Sequence, residues 1–436
     1  MHPSSTAHPL ALLCRVGFEP DLIDELRAWF AARSLVVEIH SAQEAVVRVA
    51  AVAVAPRLAE LVFARDLLVV EQELSDLDVK DRVTPIGRAL GLVGAFAQLV
   101  MLTPDSESTK PLAPLLTALE ARLRKQATAT GDDSAASVWM LSGTHALVGR
   151  PPADGGARYP GGVPRLKFPR GAPSRSTLKL DEAFQVLLTE AERSALLRPG
   201  LTAVDLGAAP GGWTYQLVMR QMRVTAIDNG RVDATLMASG LVTHLREDGF
   251  RYRPARPVDW LVCDMVEKPG RVAELVARWF ASGWCHAAVF NLKLPMKKRF
   301  EAWLQALQVL RPLAAKQHIR ARQLYHDREE ITVAVVPTEL RRALAPVGAG
   351  SARDGKRSRV EPAPTGKTRR PDSPSGKTGG KRSRAEPAPT GKARRPGSPS
   401  GKTGGKRSRA EPAPTGKARR PGSPPSKTGS RRSRTR

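Results

Sequence analysis

Residues 203–213 have the sequence AVDLGAAPGGW, in which an apolar run leads into a glycine-rich turn that a helix should follow. Gly207, Gly211 and Gly212 permit tight turns and allow a ligand to approach the backbone closely. Pro210 removes one hydrogen-bond donor and stiffens the turn. Because open α/β sheets bind ligands beyond the carboxyl ends of their strands, we expect this turn to hold a cofactor.

Short apolar runs and helical patterns alternate on both sides of this turn. The apolar runs predict strands at residues 201–206, 223–227, 258–263 and 287–292. Apolar residues at helical spacing predict helices at residues 213–220, 271–280 and 297–310. Such alternation is typical of a doubly wound α/β sheet. The runs at 316–324 and 330–336 have no helix between them, so they predict an antiparallel hairpin at the end of the sheet.

The first 150 residues predict a smaller α+β architecture. Apolar runs predict strands at residues 9–17, 35–39, 45–54, 64–74, 95–102 and 137–148. Helical spacing predicts helices at residues 22–30, 81–92 and 111–125. Residues 150–175 are rich in Pro, Gly and Arg, and we interpret them as an extended connector that contains turns.

Positive charge is concentrated at the C-terminal end. The chain carries 69 lysines and arginines against 42 acidic residues, a net charge of +27. From Ser351 onward there are 26 against five, in a 25-residue repeat that opens at Lys356, Lys381 and Lys406. This tail contains no Leu, Ile, Phe, Trp or Tyr, so it cannot bury enough apolar surface to fold, and we expect it to be disordered. The charge is compatible with a nucleic-acid partner.

The chain has three cysteines, Cys14, Cys263 and Cys285. None belongs to a CxxC or Cys/His cluster, which argues against a zinc site or a disulfide framework and predicts buried free thiols. The N-terminal residues lack the basic segment and the long apolar run of a signal peptide. No stretch approaches the ~20 apolar residues of a membrane span. We therefore expect a cytoplasmic protein that holds no metal ion.

Two features of the glycine-rich turn favour S-adenosylmethionine over a dinucleotide. The glycine spacing is not GxGxxG, and Asp205 precedes the turn, where it would repel a pyrophosphate but tolerate a cationic amine or sulfonium. Asp228 ends the next predicted strand, where a carboxylate accepts hydrogen bonds from ribose hydroxyls. Asp248 ends the run VTHLRED and is a candidate for the adenine edge. Both Asp228 and Asp248 also suit a strand-end cap or a turn.

Six stretches of the chain resemble the bacterial ribosomal RNA large subunit methyltransferase M family. They are SRSTLKLDEAF, VDLGAAPGGWTYQLV, LREDGF, LVCDMVEKP, FNLKLPMKKRFEAW and YHDREEITVAV. The resemblance continues upstream through GGVPRLKFPRGAPSR, and RVGFEPDL and DRVTPI still match near the N-terminus. It covers roughly residues 10–340, and the tail has no counterpart in it.

The resemblance implies an α/β fold class, with a Rossmann-like S-adenosylmethionine-dependent methyltransferase domain and an N-terminal α+β THUMP-like RNA-binding region, to which the composition adds the disordered basic tail. The expected domains are an N-terminal α+β subdomain at 1–60, a THUMP-like RNA-binding region with the connector at 61–165, the methyltransferase domain at 166–345 and the tail at 346–436. The implied activity is methylation of the 2′-hydroxyl of a cytidine ribose in 23S ribosomal RNA. We expect the enzyme to be a monomer.

The resemblance also assigns site residues. Its cofactor contacts fall on Ser176, Ala209, Pro210, Gly211, Gly212, Asp228, Asp248 and Asp264. Its catalytic Lys-Asp-Lys-Glu set falls on Lys179, Asp264, Lys293 and Glu330. Ala209 stands where the family varies, so backbone contacts would carry that part of the site. Glu329 competes with Glu330 for the fourth role; motif alignment favours Glu330.

These residue types suit the methylation of a hydroxyl. The methyl donor is an activated sulfonium, so the enzyme mainly positions the hydroxyl in line, which supplies several kcal/mol of the barrier, and handles one proton. A lysine acts as a base only when its pKa lies well below about 10.4, and desolvation or a nearby cation lowers it. In this interpretation Lys293 is the base and Lys179 is the neighbouring cation. Asp264 and Glu330 orient the two lysines.

Two other functions stay open at this point. A 2′-O-methyltransferase that acts on another RNA, such as tRNA, would use the same catalytic residues. A non-catalytic RNA-binding or assembly factor would have a degenerate cofactor pocket, and the intact turn and complete Lys-Asp-Lys-Glu set argue against it. The cations of the connector at 150–175 suit either ordinary solubility or contact with RNA.

Overall fold

The computed structural model describes residues 7–126, 134–152 and 156–339. The N-terminal half contains β1 (His8–Leu13), α1 (Glu19–Ala31), β2 (Ile39–Gln43), β3 (Val46–Val52), β4 (Asp66–Leu74), α2 (Val83–Val93), β5 (Gln98–Leu102), α3 (Ala113–Leu123), β6 (Ala135–Met140) and β7 (Ala146–Arg150). The C-terminal half contains α4 (Thr177–Leu187), α5 (Glu190–Leu196), β8 (Thr202–Leu206), α6 (Gly212–Val218), β9 (Arg223–Ile227), α7 (Ala234–Ala238), β10 (Val242–Leu245), β11 (Val258–Cys263), α8 (Pro269–Ala281), β12 (Cys285–Lys293), α9 (Arg299–Leu310), β13 (Gln317–Arg322) and β14 (Glu330–Pro337).

The N-terminal half is built on one seven-stranded sheet with the order β2-β3-β1-β4-β7-β6-β5. Its described pairs are antiparallel except for β5 and β6, which run parallel. Helix α1 buries Leu22, Leu26 and Phe30 against the core that this sheet forms. The expected α+β architecture is therefore confirmed. The sheet is continuous across residue 60, and the proposed division there stays a prediction.

One expected strand of this sheet was misplaced. Residues 35–38 are not a strand, and Val36 is 96% exposed. Strand β2 spans Ile39–Gln43, and the tight turn at Glu44 and Ala45, both with positive φ, pairs Gln43 with Val46 and so fixes the register of the hairpin. The run at 137–148 is likewise not one strand, since β6 and β7 form a hairpin within it.

The C-terminal half is a doubly wound sheet with the order β10-β9-β8-β11-β12-β14-β13. Strands β8 to β12 pair in parallel, and β14 is antiparallel to both β12 and β13. This arrangement confirms the predicted Rossmann-like sheet and its terminal hairpin. Strands β9 and β11 have the predicted bounds. Helices α4 and α5 were not among the predicted helices, and α4 proves to carry part of the candidate site.

The two halves meet where β13 ends. Arg322 donates hydrogen bonds to the backbone oxygens of Ala64 (2.7 Å) and Leu58 (2.9 Å). The backbone N–H of Gln323 donates to the backbone oxygen of Val62 (2.8 Å). Burial lowers the pKa of Arg322 to about 10, so the guanidinium is still charged at neutral pH. These bonds hold the N-terminal half against the sheet that carries the candidate site.

The three cysteines are buried and free, as predicted. Burial raises the pKa of each thiol, for Cys263 to about 12, which makes the thiols inert. Among the helices in the described ranges, none combines the length and apolarity needed to span a bilayer. The expected disordered tail at 346–436 lies outside the described residues.

Candidate active site

The candidate active site lies at the carboxyl ends of β8 and β11, where the chain switches from one side of the sheet to the other. The turn after β8 begins at Gly207, whose φ of 77° favours glycine. A Cβ atom there would lie 2.7 Å from Met265 Cγ, and one at Gly249 would lie 3.0 Å from Met265 Sδ. The loops that follow β8, β10 and β11 therefore meet around Met265.

Asp228 shapes the glycine-rich turn. Its Oδ2 atom accepts a hydrogen bond from the backbone N–H of Ala209 (3.0 Å), and its Oδ1 atom accepts one from Gly230 (2.6 Å). Each carboxylate oxygen has further acceptor capacity for a ligand hydroxyl. The position at the end of β9 agrees with the expected ribose-binding role, and the contact with Ala209 adds a structural role.

Helix α4 closes the other side of the turn. A Cβ atom on Gly212 would lie 2.1 Å from Ser176 Oγ and 2.3 Å from Ser174 Oγ, so this approach requires glycine. The two serine hydroxyls are 2.7 Å apart and hydrogen-bonded. Ser176 and the glycine-rich turn are therefore brought together, as the assigned cofactor set requires.

Asp205 lies beneath the turn rather than at its surface. It is 1% exposed, and its Oδ2 atom accepts a hydrogen bond from Thr214 Oγ1 (2.6 Å). Burial, supported by the charges of Asp264 and Asp228, raises the pKa of Asp205 to about 7. Asp205 thus holds helix α6 against β8. Its side chain is buried beneath the turn and does not line the surface of the turn.

Asp248 stands at the outer edge of this group. Its side chain is 54% exposed, and its Oδ1 atom accepts the backbone N–H of Phe250 (2.8 Å). The neighbouring Gly249 faces Met265, which places Asp248 beside the loops after β8 and β11. The described position suits either a cofactor contact or a turn residue.

The four residues of the Lys-Asp-Lys-Glu set form one compact cluster. Lys179 of α4 pairs with Glu330, and Lys293 at the end of β12 pairs with Asp264. The cross pairs are longer, at 3.7 Å from Lys179 Nζ to Asp264 Oδ2 and 3.9 Å from Lys293 Nζ to Glu330 Oε1. Two lysines and two acidic residues therefore alternate around a half-buried square.

The cluster fixes the protonation state of one of its lysines. Burial disfavours the charged form of Lys179, but attraction by Asp264 and the hydrogen bond to Glu330 outweigh it and raise the pKa of Lys179. Lys179 therefore keeps its proton at neutral pH. This agrees with its expected role as the cation beside the base.

The geometry distinguishes Glu330 from Glu329. The Glu330 side chain is 9% exposed and bonds to Lys179. The Glu329 side chain is 52% exposed and instead accepts hydrogen bonds from Arg299 Nη2 (2.7 Å) and Nε (3.1 Å). Glu330 is thus the acidic member of the cluster at this end of β14.

Three polar residues behind the cluster were missed by the sequence analysis. Asn291, Thr332 and Asp327 are buried, and Asn291 Nδ2 donates to Asp264 Oδ1 (2.9 Å). Polar residues inside otherwise apolar strands, such as Asn291 in AVFNLKL, are a signal that could have identified two of them. Asp327 lies in the turn between β13 and β14 and has no such signal.

A cleft of about 790 Å³ opens beside the cluster, toward the N-terminal half. Lys179 and Glu330 line it on one side. Three arginines and an aromatic ring are also part of its wall, namely Arg15, Arg175, Arg328 and Tyr325. Asp105 and Glu107 line it as well, so the wall has mixed charge. Within the described ranges, no group of His, Cys, Asp and Glu is arranged to hold a metal ion.

Comparison with known proteins identifies methyltransferase relatives of this chain. The FtsJ-like methyltransferase family matches residues 172–301. Ribosomal RNA large subunit methyltransferase M of Xanthomonas campestris pv. campestris (strain B100) is 48% identical over 339 residues, which cover 74% of this chain and 98% of that protein. The protein of the same name from Stenotrophomonas maltophilia (strain R551-3) is 47% identical over 351 residues, with 77% and 98% covered.

Solved structures give a weaker likeness. The crystal structure of TrmN from Thermus thermophilus aligns over 76% of this chain and 99% of that one, with 18% identity and a TM-score of 0.29. The fold, the site and the matching family define an FtsJ-like methyltransferase. More narrowly, the chain belongs to the ribosomal RNA large subunit methyltransferase M family, because relatives of that name match it along nearly their whole length.

Proposed function

We propose that this enzyme transfers the methyl group of S-adenosylmethionine to the 2′-hydroxyl of a cytidine ribose in 23S ribosomal RNA. The observation that carries the proposal is the cluster of Lys179, Asp264, Lys293 and Glu330 next to the glycine-rich turn. Hydroxyl methylation needs a group that accepts one proton and a rigid frame that aligns the hydroxyl. The cluster offers both.

The residues around the turn fit S-adenosylmethionine. Gly212 lets Ser176 approach the glycine-rich turn closely, and Asp228 offers ribose hydroxyls a carboxylate. The acidic side chains of Asp228 and Asp264 stand close enough to the turn to raise the pKa of the buried Asp205, and acidic groups placed there favour a cationic ligand over a pyrophosphate. We assign the contacts to Ser176, Ala209, Pro210, Gly211, Gly212, Asp228, Asp248 and Asp264. When bound, this cofactor supplies an electrophilic methyl group.

The roles of the cluster follow from its pairing. We assign Lys293 as the base that, in its neutral amine form, takes the proton of the 2′-hydroxyl, because its Nζ atom stands at the end of β12 beside Asp264. Lys179 stays charged and holds Glu330 in place. Asp264 contacts both lysines and therefore sets the distance between them. The frame is rigid because three of its four members sit at strand ends.

The cleft beside the cluster supports an RNA substrate. Its arginines can bind phosphates, and Tyr325 can stack on an unpaired base. The cleft reaches Arg15 of the N-terminal half, so both halves would contact the same RNA. We further propose that the enzyme acts as a monomer, because one chain supplies the whole cluster, and in the cytoplasm, where bacterial ribosomal RNA is made.

Transfer of a tritiated methyl group tests this proposal. The purified protein is incubated with labelled S-adenosylmethionine and either unmodified 23S ribosomal RNA, the same RNA after prior full methylation by this protein, or bulk tRNA. We expect label only in the unmodified 23S RNA. Label in tRNA alone would identify a different substrate, and cofactor binding without any transfer would indicate a non-catalytic RNA-binding factor.

A further inference from the structure

A line of buried polar side chains leads from the cluster into the protein interior. Asn291 on β12 lies opposite Thr332 on β14, and Asp327 lies in the turn that precedes β14. Each is almost fully buried. Burial of polar groups is unfavourable unless their hydrogen bonds are satisfied, so the donors and acceptors along this line can be assigned one by one.

The first link fixes the orientation of the Asn291 amide. Its nitrogen lies 2.9 Å from Asp264 Oδ1, and an ionised carboxylate can only accept hydrogen bonds. The reversed amide would place two oxygen acceptors against each other. The Asn291 oxygen therefore points away from Asp264, toward Thr332 Oγ1 at 2.7 Å.

The second link uses the only proton of Thr332. Because the Asn291 oxygen is an acceptor, the Thr332 hydroxyl donates to it. The same hydroxyl oxygen lies 2.9 Å from Asp327 Oδ2 and 3.2 Å from Asp327 Oδ1. Its proton is already used, so this contact is a hydrogen bond only if the Asp327 carboxyl supplies a proton.

The surroundings of Asp327 favour that protonated form. Burial and the nearby charge of Glu330, with a smaller effect of Glu182, raise the pKa of Asp327 well above its ordinary value; the hydrogen bond from the Leu324 backbone and the charge of Lys179 lower it but do not outweigh them. The backbone N–H of Leu324 donates to Asp327 Oδ2 (3.0 Å), which a neutral carboxyl also accepts.

We propose that Asp327 is a positioning residue: as a neutral acid it donates to Thr332, Thr332 donates to Asn291, and Asn291 donates to Asp264, which holds the Asp264 carboxylate toward Lys293. The inference rests on the catalytic role proposed above for Lys293. The chain of bonds has one direction, since each member donates to the next. The hydrogen bond from the Asn291 amide to Asp264 Oδ1 keeps the Asp264 side chain from rotating into the interior.

The turn that carries Asp327 is itself held from two sides. Glu182 of α4 accepts the backbone N–H groups of Tyr325 (2.8 Å) and His326 (2.9 Å). Arg15 of the N-terminal half donates to the backbone oxygen of Asp327 (2.8 Å). The start of the chain of bonds is therefore fixed by both halves of the molecule.

Three variants of the full chain test the inference, of which Asp327→Asn and Thr332→Val are isosteric. Asp327→Asn retains a neutral group that donates to Thr332 and accepts from Leu324, so we expect kcat within about threefold of the wild type and the same pH–rate profile. Thr332→Val removes the middle link, and we expect kcat to fall at least about tenfold, because small misplacements of catalytic groups are costly. The KM for RNA and the Kd for S-adenosylmethionine should not change. Thr332→Ser should restore kcat.

The outcomes separate this inference from the proposed function. If the wild type transfers methyl groups and Asp327→Asn loses kcat as Thr332→Val does, Asp327 acts as a carboxylate and the inference is wrong. Wild-type kcat in Thr332→Val would also overturn it. If Thr332→Val does not fold, the folded Asp327→Asn variant decides alone, through its kcat and pH–rate profile. Absence of transfer by the wild type refutes the proposed function itself.

Discussion

Substitution of Gly212 by alanine sets two effects against each other. Gly212 is the first residue of α6 and its φ is not positive, so alanine can adopt its backbone conformation. Helix propensity alone favours alanine by about 1 kcal/mol. The added Cβ atom, however, would lie 2.1 Å from Ser176 Oγ, 2.3 Å from Ser174 Oγ and 3.1 Å from the backbone nitrogen of Thr177.

The steric effect should be the larger one. The serine side chains can rotate away, but this breaks the hydrogen bond between them, at about 0.5–1.5 kcal/mol. The contact with the Thr177 backbone cannot be relieved unless the start of α4 moves. Overpacking of this kind costs about 1–3 kcal/mol. We expect net destabilisation of about 1–3 kcal/mol and displacement of Ser176 and Lys179 from the site.

Gly212→Ala should impair cofactor binding and methyl transfer even where the variant stays folded. A displacement of about 1 Å in a catalytic frame lowers the rate about 100-fold, so we expect weaker S-adenosylmethionine binding in calorimetry and slow methyl transfer at temperatures where the protein stays folded. Gly91→Ala in α2 is the matched control, because a Cβ atom there meets nothing within 4 Å. That variant should be more stable by about 0.5–1 kcal/mol and fully active.

One result would refute this reasoning. If Gly212→Ala binds the cofactor and transfers methyl groups as the wild type does, while remaining folded, then the close approach of α4 to the glycine-rich turn has no part in cofactor binding. The site assignment for Ser176 and Gly212 would have to be abandoned.

Four further outcomes are expected. Lys293→Ala should lower the rate of methyl transfer about 10²–10⁴-fold and leave cofactor affinity unchanged, because the base acts on the acceptor hydroxyl and not on the cofactor. A residual rate above about a tenth of the wild type would contradict the assignment. Asp228→Ala should weaken S-adenosylmethionine binding by about 1–3 kcal/mol, and unchanged affinity would move the ribose contact elsewhere. Asp205 has a pKa of about 7 in the folded state against an ordinary value of 3.8, so the folded state binds its proton more tightly and the free energy of unfolding falls as pH rises through that range. Asp205→Asn should therefore reduce the drop in urea midpoint between about pH 5 and about pH 8. An equal drop in the wild type and the variant would contradict this. Truncation after Val347 removes a strongly cationic segment, so it should reduce the salt dependence of RNA binding without moving the methylated position; equal salt slopes would show that the tail does not bind RNA.

The Rossmann-like half was predictable because its signals are local. Each parallel strand is a short apolar run between helical patterns, and burial on both faces makes such runs conspicuous. Strands β9 and β11 accordingly have the predicted bounds. In the N-terminal half, β2 depends on a turn whose positive φ angles fall on Glu44 and Ala45. Neither residue type signals such a turn, so the register could not be predicted.

The candidate site was only partly accessible from sequence. Lys179 and Glu330 lie 151 positions apart, and motif resemblance rather than spacing brought them into one set. Asp205 illustrates the limit, because the sequence suggested only that its charge would favour a cationic ligand, whereas its burial against Thr214 follows from the three-dimensional structure. The role of Asp327 follows from which atoms donate hydrogen bonds and which accept them, and these partners are visible only in the three-dimensional structure.

The position of the methyl group tests the central claim most directly. Unmodified 23S ribosomal RNA, labelled by this enzyme with tritiated S-adenosylmethionine, is digested to completion with alkali, which cleaves RNA only beside a free 2′-hydroxyl. A ribose 2′-O-methyl group on cytidine predicts that the label is recovered in an alkali-resistant dinucleotide with methylated cytidine at its 5′ side. Label recovered in mononucleotides, as methylation of a base would give, would contradict the account.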